Sequence, residues 1–325
     1  MTGTLTRRLV VGAGLAAPLA RLSAQPHFPS RTVRIVVPYA VGVGPDAVAR
    51  RVAESLQRRW QQPVIIDNKP GASGIVAFGD LRRIAADGYT LYLADTATMA
   101  VNPLIHAELP YDPVRDLVPL TLLFRATFVI LVGGRSRFAT LAQLLDAARR
   151  EPGRVSYASL GNGHASQVAI ESMARAAGVQ LLHVPFKDAG ALFTAVASAD
   201  VDFTAFSMNT VAGLVDGGKL RPLAVAARRR LKDHPELPTL AESGGPAVEM
   251  RPWAGLVAPA GTPPAVLEQL QRDIVAAIDS AEVRARVAAM GFELTPSTAQ
   301  QFRDRVQADL ALYAPLVREG RVSRL

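Results

Sequence analysis

The chain has 325 residues, 49% of them hydrophobic, a formal net charge of +8 and no cysteine. That length holds two ordinary domains, and that apolar content excludes a disordered polypeptide. The missing thiols exclude disulfides, thiolate metal sites, a cysteine nucleophile and a lipidated cysteine, while the longest basic run, Arg228-Arg229-Arg230, has no interleaved aromatics and predicts no nucleic-acid groove.

Residues 1–24 read as an export signal. In TRRLVVGAGLAAPLARLSAQP, Arg7 and Arg8 precede an apolar stretch from Leu9 to Ala20, and Ser23-Ala24 supplies small residues for cleavage. The apolar stretch is too short to span a bilayer. A twin-arginine and a general secretory signal both fit it, and either places the mature chain in the periplasm.

Apolar runs of strand length then alternate with segments of helical period. VRIVVPY leads through AVGVGPDA into a helix over 46–59, where Val48, Val52 and Leu56 recur every four residues. PVIID is a second strand, NKPGASG turns into a helical spacing over 75–86, and TLYLA is a third strand. This order predicts an α/β domain with parallel pairing and right-handed crossovers. YDPVRDLVPL reads as a proline-punctuated link. A second series follows: FVILVGG, a helix over 141–150, VSYASL, the turn GNGHAS, a helix over 167–177, QLLHVPF, a helix over 189–198, VDFTAF and LRPLAVAA. The chain then runs through MRPWAGLVAPAGTPP into helical patterns over 265–280, 281–290 and 299–318. Two α/β units of comparable size, with helices left over, predict a bilobal protein without internal repeats.

Each unit contains a strand whose glycine-rich turn opens a helix, PYAVGVGPD in the first and YASLGNGHAS in the second. Glycine lets the backbone approach a ligand, and a helix N-terminus offers unpaired N–H groups with partial positive charge. Two such turns facing each other suit a small anion. GVGPDA also satisfies G-x-G-x-x-A, and Asp67 follows Gly44 at the spacing of a dinucleotide fingerprint. That alternative makes the chain an exported NAD- or flavin-dependent oxidoreductase. Pro45 removes an N–H that a pyrophosphate uses, and Asp46 puts a carboxylate where phosphates sit. Asp46 is instead expected to cap its own helix and fix the turn, and Asp67 begins an Asn-Lys-Pro-Gly turn that needs no ribose. Histidines 27, 106, 164, 183 and 234 show no metal-ligand spacing, and neither a G-x-S-x-G elbow nor H-E-x-x-H occurs. No metal, cofactor or catalytic group is expected. His183 in LLHVPF reads as a core residue; His164, inside the second turn, either reaches a carboxylate or caps its helix.

Together these motifs resemble the Bug-type extracytoplasmic solute-binding receptors of tripartite tricarboxylate transporters. The matching strings are VRIVVPY, Gly42 and Asp46 with VAR, DNKPGASG, ADGYTLYLA, NPLIH, LPYDPVRDLVPLT, PGRVSYASLGNGHAS, HVPFK, GGKLRPLAV, LPTLAESG and GLVAPAGTP. The resemblance implies a periplasmic-binding-protein (Venus flytrap) fold with crossing strands, lobe 1 from 25–122 plus 249–325 and lobe 2 from 123–248. It also implies no catalysis, a small organic acid as ligand, membrane carrier subunits or a sensor kinase as partner, and a monomer. Carried over by position, the ligand contacts are Tyr39, Val41, Gly42, Val43, Gly44, Ser73, Gly74, Thr96, Ala97, Thr98, Ser159, Gly161, Asn162, Gly163, His164, Ser166 and Phe206. The family usually reads PPGGSTD where this chain has AVGVGPD, and many relatives carry an acid near Phe206. Val43 and Phe206 therefore predict a ligand with an apolar or aromatic body rather than an amino acid. Asp95, beside the Thr96 turn, repels an anion if it faces the cleft and says nothing if it faces away.

Overall fold

The computed structural model of the chain describes residues 28–42 and 44–325, so the segment read as an export signal and Val43 lie outside the described residues. β1 (Val33–Val37), apolar except for Arg34, runs towards α1 (Gly44–Trp60), whose buried Val48, Val52, Leu56 and Trp60 form one four-residue stripe. β2 (Val64–Asn68), α2 (Ile75–Phe78), β3 (Thr90–Asp95), α3 (Asn102–Ile105) and β4 (Leu117–Arg125) complete this pass. A second sheet follows, from β5 (Phe128–Gly133), α4 (Leu141–Arg150), β6 (Ser156–Ser159), α5 (Ala165–Ala176), β7 (Leu182–Pro185), α6 (Ala189–Ala197), β8 (Phe203–Ser207), α7 (Met208–Asp216) and β9 (Leu220–Val225). The chain returns to the first sheet as β10 (Trp253–Pro259), then α8 (Pro264–Ile278), α9 (Ala281–Ala289), β11 (Glu293–Leu294) and α10 (Ala299–Arg318). Among the described residues no helix is long and apolar enough to cross a membrane.

The strand orders are β11-β4-β10-β3-β1-β2 and β7-β6-β8-β5-β9. The expected parallel pairing holds for β1 with β2 and β3, and for β6 with β7 and β8. The sheets are nevertheless mixed. β10 runs antiparallel to β3 and β4, and β5 antiparallel to β8 and β9. The chain passes between the sheets from β4 to β5 and again into β10, so β4 ends, and β5 and β10 begin, where the parallel strands end.

Three expectations need correction. Leu117 to Leu120, read as part of a link, belong to β4. Pro119 is tolerated there because its partner Val257 sits at a register shift, where the ladder is already interrupted. The helix expected over 75–86 is broken into α2 and a 3-10 turn at Leu81–Arg83; Asp80 between them is held by Lys69 Nζ at 2.9 Å. Finally, α7 and a π-helical turn at Ala97–Val101 have no counterpart in the sequence reading.

Each sheet is covered on both faces by apolar clusters. A further cluster joins the two units: Val101 and Ile105 meet Val168 of α5 together with Tyr313, Leu316 and Val322 near the C-terminus. The terminal segment is tied to both sides, with the Leu325 N–H donating to the Ile105 carbonyl at 2.6 Å and Arg321 reaching Glu171 at 3.2 Å.

Candidate ligand-binding cleft

The carboxyl ends of the parallel strands in both sheets abut the crossing strands. Asp95, at the end of β3, is in register with Ala254, Trp253 with Arg125, and Ser207, at the end of β8, with Phe128. Open α/β sheets bind ligands at such carboxyl ends. Here two sets of ends flank the same crossing.

In the turn after β1, Gly42 has φ +83° and donates its N–H to Asp46 Oδ2 at 2.8 Å. Asp46 is fully buried and also receives Arg50 Nε at 2.9 Å and Asn68 Nδ2 at 2.7 Å. Asn68 donates as well to the Tyr39 carbonyl at 3.0 Å. Burial by itself raises the Asp46 pKa; the hydrogen bonds from Arg50, Asn68 and Gly42 outweigh it and hold the carboxyl below its ordinary value. The Gly42 N–H that a pyrophosphate needs is thus taken by a carboxylate. Asp67, in turn, pairs with Arg34 at 3.1 Å. The dinucleotide resemblance of this segment is one of spacing alone. Val41 stands out at 73% exposure. Gly44 opens α1 against the Phe292 ring, which a Cβ at that position meets at 2.7 Å.

Two further turns close the same corner. Ser73 and Gly74 both have positive φ, and a Cβ on Gly74 collides with Thr98 Cγ2 and lies 3.3 Å from Pro38 Cβ. Asn102 Nδ2 holds the Ser73 carbonyl at 3.0 Å. Asp95 faces inward onto its own turn: its Oδ1 receives the Thr98 N–H and the Thr98 hydroxyl, each at 2.8 Å, and its Oδ2 receives the Tyr39 hydroxyl. The Ala97 N–H bonds to it too. Burial raises the pKa of Asp95 in spite of these bonds, and burial followed by the neighbouring Asp95 charge raises that of Tyr39. The donors of Ala97 and Thr98, expected to meet a ligand, therefore meet Asp95. Thr96 Oγ1 receives the Trp253 N–H at 3.2 Å.

The second-lobe turn is set by a chain of uncharged groups. The Gly163 N–H donates to Gln167 Oε1 at 2.7 Å, Gln167 Nε2 meets His183 Nδ1 at 3.1 Å, and His183 Nε2 meets Ser159 Oγ at 2.6 Å. Ser159 Oγ also lies 3.2 Å from the Gly161 N–H nitrogen and 3.1 Å from its carbonyl oxygen. Because the Gln167 oxygen is already an acceptor, its amide nitrogen donates to Nδ1, which assigns His183 as the neutral Nε2–H tautomer. Burial lowers the His183 pKa to about 4. Ser159 is fully buried, so this serine–histidine pair braces a turn and offers no accessible nucleophile.

His164 caps α5. Its Nδ1 accepts from the Ser166 N–H at 3.1 Å, with Ser166 Oγ 2.8 Å away, and burial lowers its pKa to about 4. The ring is therefore neutral, with an Nε2–H that has no partner among the described residues. Phe206 lies 6.4 Å from it by ring centroids, but is only 7% exposed and packs edge-on to Phe193 at 5.0 Å. Asn162 spends its amide on the Ser323 carbonyl at 2.8 Å.

The structure brings the segment after β3 against the second-lobe turn beside the crossing strands. Gly163 sits against Ile105 and Val101, where a Cβ lies 2.5 Å from Ile105 Cδ1. Thr96 and Ala165 border one small cavity with Met250 and Pro252. Phe292 touches Gly44, and its neighbour Gly291 abuts Asn209 at the start of α7. Sequence reasoning missed Asn68, Gln167, Phe292 and the bracing role of His183. It also passed over the Asp95 to Thr98 bond, which carried a local signal, an acid three residues before a hydroxyl at a strand end.

Residues 48–321 match the model of the tripartite tricarboxylate transporter family receptor. The chain belongs to that family. BugT of Bordetella pertussis is 30% identical over 315 residues, covering 95% of this chain and 94% of that one. Rpa4515 of R. palustris, solved with adipate, is 28% identical with a TM-score of 0.82 over 92% of this chain and 100% of that one. MatC of Rhodopseudomonas palustris with bound malate is 27% identical with a TM-score of 0.78 over 89% and 99%. For a receptor of this family, the two mixed sheets are the two lobes of a periplasmic-binding-protein fold.

Proposed function

We propose that this receptor captures one small organic carboxylate with an apolar body between its lobes in the periplasm and delivers it to membrane carrier subunits. The observation that carries the reading is the pair of positive-φ glycine turns at the carboxyl ends of parallel strands on either side of one crossing. The unpartnered His164 Nε2–H supplies a neutral donor to the carboxylate. Exposed Val41 and the edge of Phe206 suit an apolar body. The first-lobe corner contributes shape more than donors, because Asp46 and Asp95 already hold its N–H groups. Adipate and malate in the related structures support the ligand class. The lobes, residues 25–122 with 249–325 and residues 123–248, close as the ligand selects the shut state.

The test is a thermal-shift screen of the mature protein against aliphatic and aromatic mono- and dicarboxylates. A ligand at 100 times its Kd adds about 2.7 kcal/mol of stability, a shift of several degrees. His164→Phe abolishes the response of the best ligand while the unliganded melting point stays within a few degrees. A flat panel overturns the reading.

A further inference from the structure

A cavity of ≈ 670 Å³ lies between the lobes to one side of these turns, bordered by the end of β4, the start of α7, the segment after β9, the return crossing and the loop before β11. Its size is that of a small-molecule site. Six cationic side chains border it, Arg125, Arg228, Arg229, Arg230, Lys232 and Arg251, against the carboxylates of Asp233, Glu249 and Glu293. Arg230 is engaged by Glu242 at 3.0 Å and Arg251 by Glu293, while Arg228 only reaches Glu249 at 3.9 Å. Arg125 is different. It is half-buried, its guanidinium makes no hydrogen bond or ion pair among the described residues, and its Nε is buried with no acceptor, as is that of Arg251. Buried guanidinium N–H groups left without an acceptor are costly.

The opposite wall offers more donors. Ser207, the N-cap of α7, bonds Thr210 Oγ1 at 2.7 Å instead of capping a main-chain amide, and Met208 and Asn209 of the first turn border the cavity. The positive end of that helix therefore faces the arginines.

We infer that Arg125 anchors a second anion site, separate from the proposed carboxylate cleft, which takes a small multivalent oxyanion such as sulfate, phosphate or a polycarboxylate. Burial, followed by the charges of Arg305 and Arg251, lowers the Arg125 pKa, and a bound anion reverses that. Because Arg125 belongs to the first sheet, Arg228 to the segment after the second and Arg251 to the crossing, an anion there contacts both lobes and favours their closed arrangement.

The test compares melting of the mature protein in sodium sulfate with melting in sodium chloride at equal ionic strength, for wild type and Arg125→Gln. Wild type shows a saturable sulfate rise above the gradual one that exclusion of sulfate from any protein surface produces. Arg125→Gln keeps the gradual rise, shifts the half-effect concentration of the saturable one at least tenfold upward, and melts no lower than wild type in chloride. A saturable rise unchanged in Arg125→Gln, or none in wild type, overturns the site. If the sulfate response survives Arg125→Gln but disappears in His164→Phe, sulfate occupies the carboxylate cleft and the second site does not exist. A carboxylate response lost only in His164→Phe, beside a sulfate response lost only in Arg125→Gln, establishes two sites.

Discussion

The two glycine turns at the carboxyl ends of parallel strands both use positive-φ glycines and are braced by different chemistry. The first is braced by ionisable carboxylates: Asp46 on the Gly42 N–H, Asp95 on the Thr98 N–H. The second is braced by a neutral relay from Gly163 through Gln167 and His183 to Ser159. A turn that already holds a carboxylate of its own repels a second one, whereas a neutral turn with a spare imidazole N–H welcomes it. Under the proposed function, the first lobe supplies shape and the second supplies anion recognition.

Breaking the first brace has the largest effect. Asp46→Ala removes a fully buried acceptor and strands the Gly42 N–H, Asn68 Nδ2 and the Arg50 guanidinium. Loss of one partner from a buried charged pair costs about 3–5 kcal/mol, measurable as a lower urea midpoint at unchanged slope. A loss under about 1 kcal/mol shows that the turn stands without its carboxylate.

That brace was partly legible beforehand, since an acid in the first turn of a helix after glycines is a local pattern. Its third donor, Asn68, lies at the end of a neighbouring strand and becomes adjacent only through the β1–β2 register, in which Val37 faces Asn68. The His183 relay was illegible for the same reason: Tyr157 pairs with His183 and their rings stack at 5.0 Å, a contact across 26 residues of chain that no spacing rule reports. The chain order of most strands and helices followed from periodicity, and so did the parallel pairing of β1 to β3 and β6 to β8, but α7 and the antiparallel direction of the crossing strands did not. β4 and β10 are near-continuous buried runs whichever way they run, and Pro119 disguised one of them as a link.

The second brace breaks with acid. His164 and His183 are both lowered to about 4 in the folded state, against about 6.5 when unfolded. Below pH 6.5 the unfolded chain takes up protons that the folded chain refuses, so stability is full above that pH and falls between 6.5 and 4. After allowance for partial exposure, the pair accounts for a loss on the order of 2–3 kcal/mol. Asp46, whose folded pKa is lowered, contributes stability above the ordinary carboxylate range and loses it only at lower pH. Asp46 and the histidines therefore act in different windows, while Asp95, raised by burial, opposes the histidines by gaining stability as the pH falls. His183→Gln removes about half of the stability slope between pH 6.5 and 4 and leaves the steeper fall below pH 4 in place; an unchanged slope separates the histidine from the acid response.

Glycine substitutions sharpen the contrast at smaller cost. Gly74→Ala combines φ +89° with a collision against Thr98 and costs about 2–3 kcal/mol. Gly161→Ala has φ +107° but open space around its Cβ, so only the backbone penalty of about 1–2 kcal/mol remains. Thermal melts of the two variants order them. Equal costs mean that the first-lobe corner is looser than its contacts indicate.

The smallest effect on stability falls on the residue with the most to say about the ligand. Val41 stands at 73% exposure at the tip of the first turn, so Val41→Ser leaves the melting point within about 0.5 kcal/mol of wild type. Burying the valine side chain against an apolar ligand contributes about 1.5 kcal/mol at most, so the same substitution weakens binding of the preferred carboxylate up to about tenfold. A small polar acid, which does not reach the side chain, loses nothing. Calorimetric titration of both ligands on both proteins reads the difference directly. An equal loss for the two acids means that Val41 shapes the turn without touching the ligand, and ligand choice then rests on the second lobe alone.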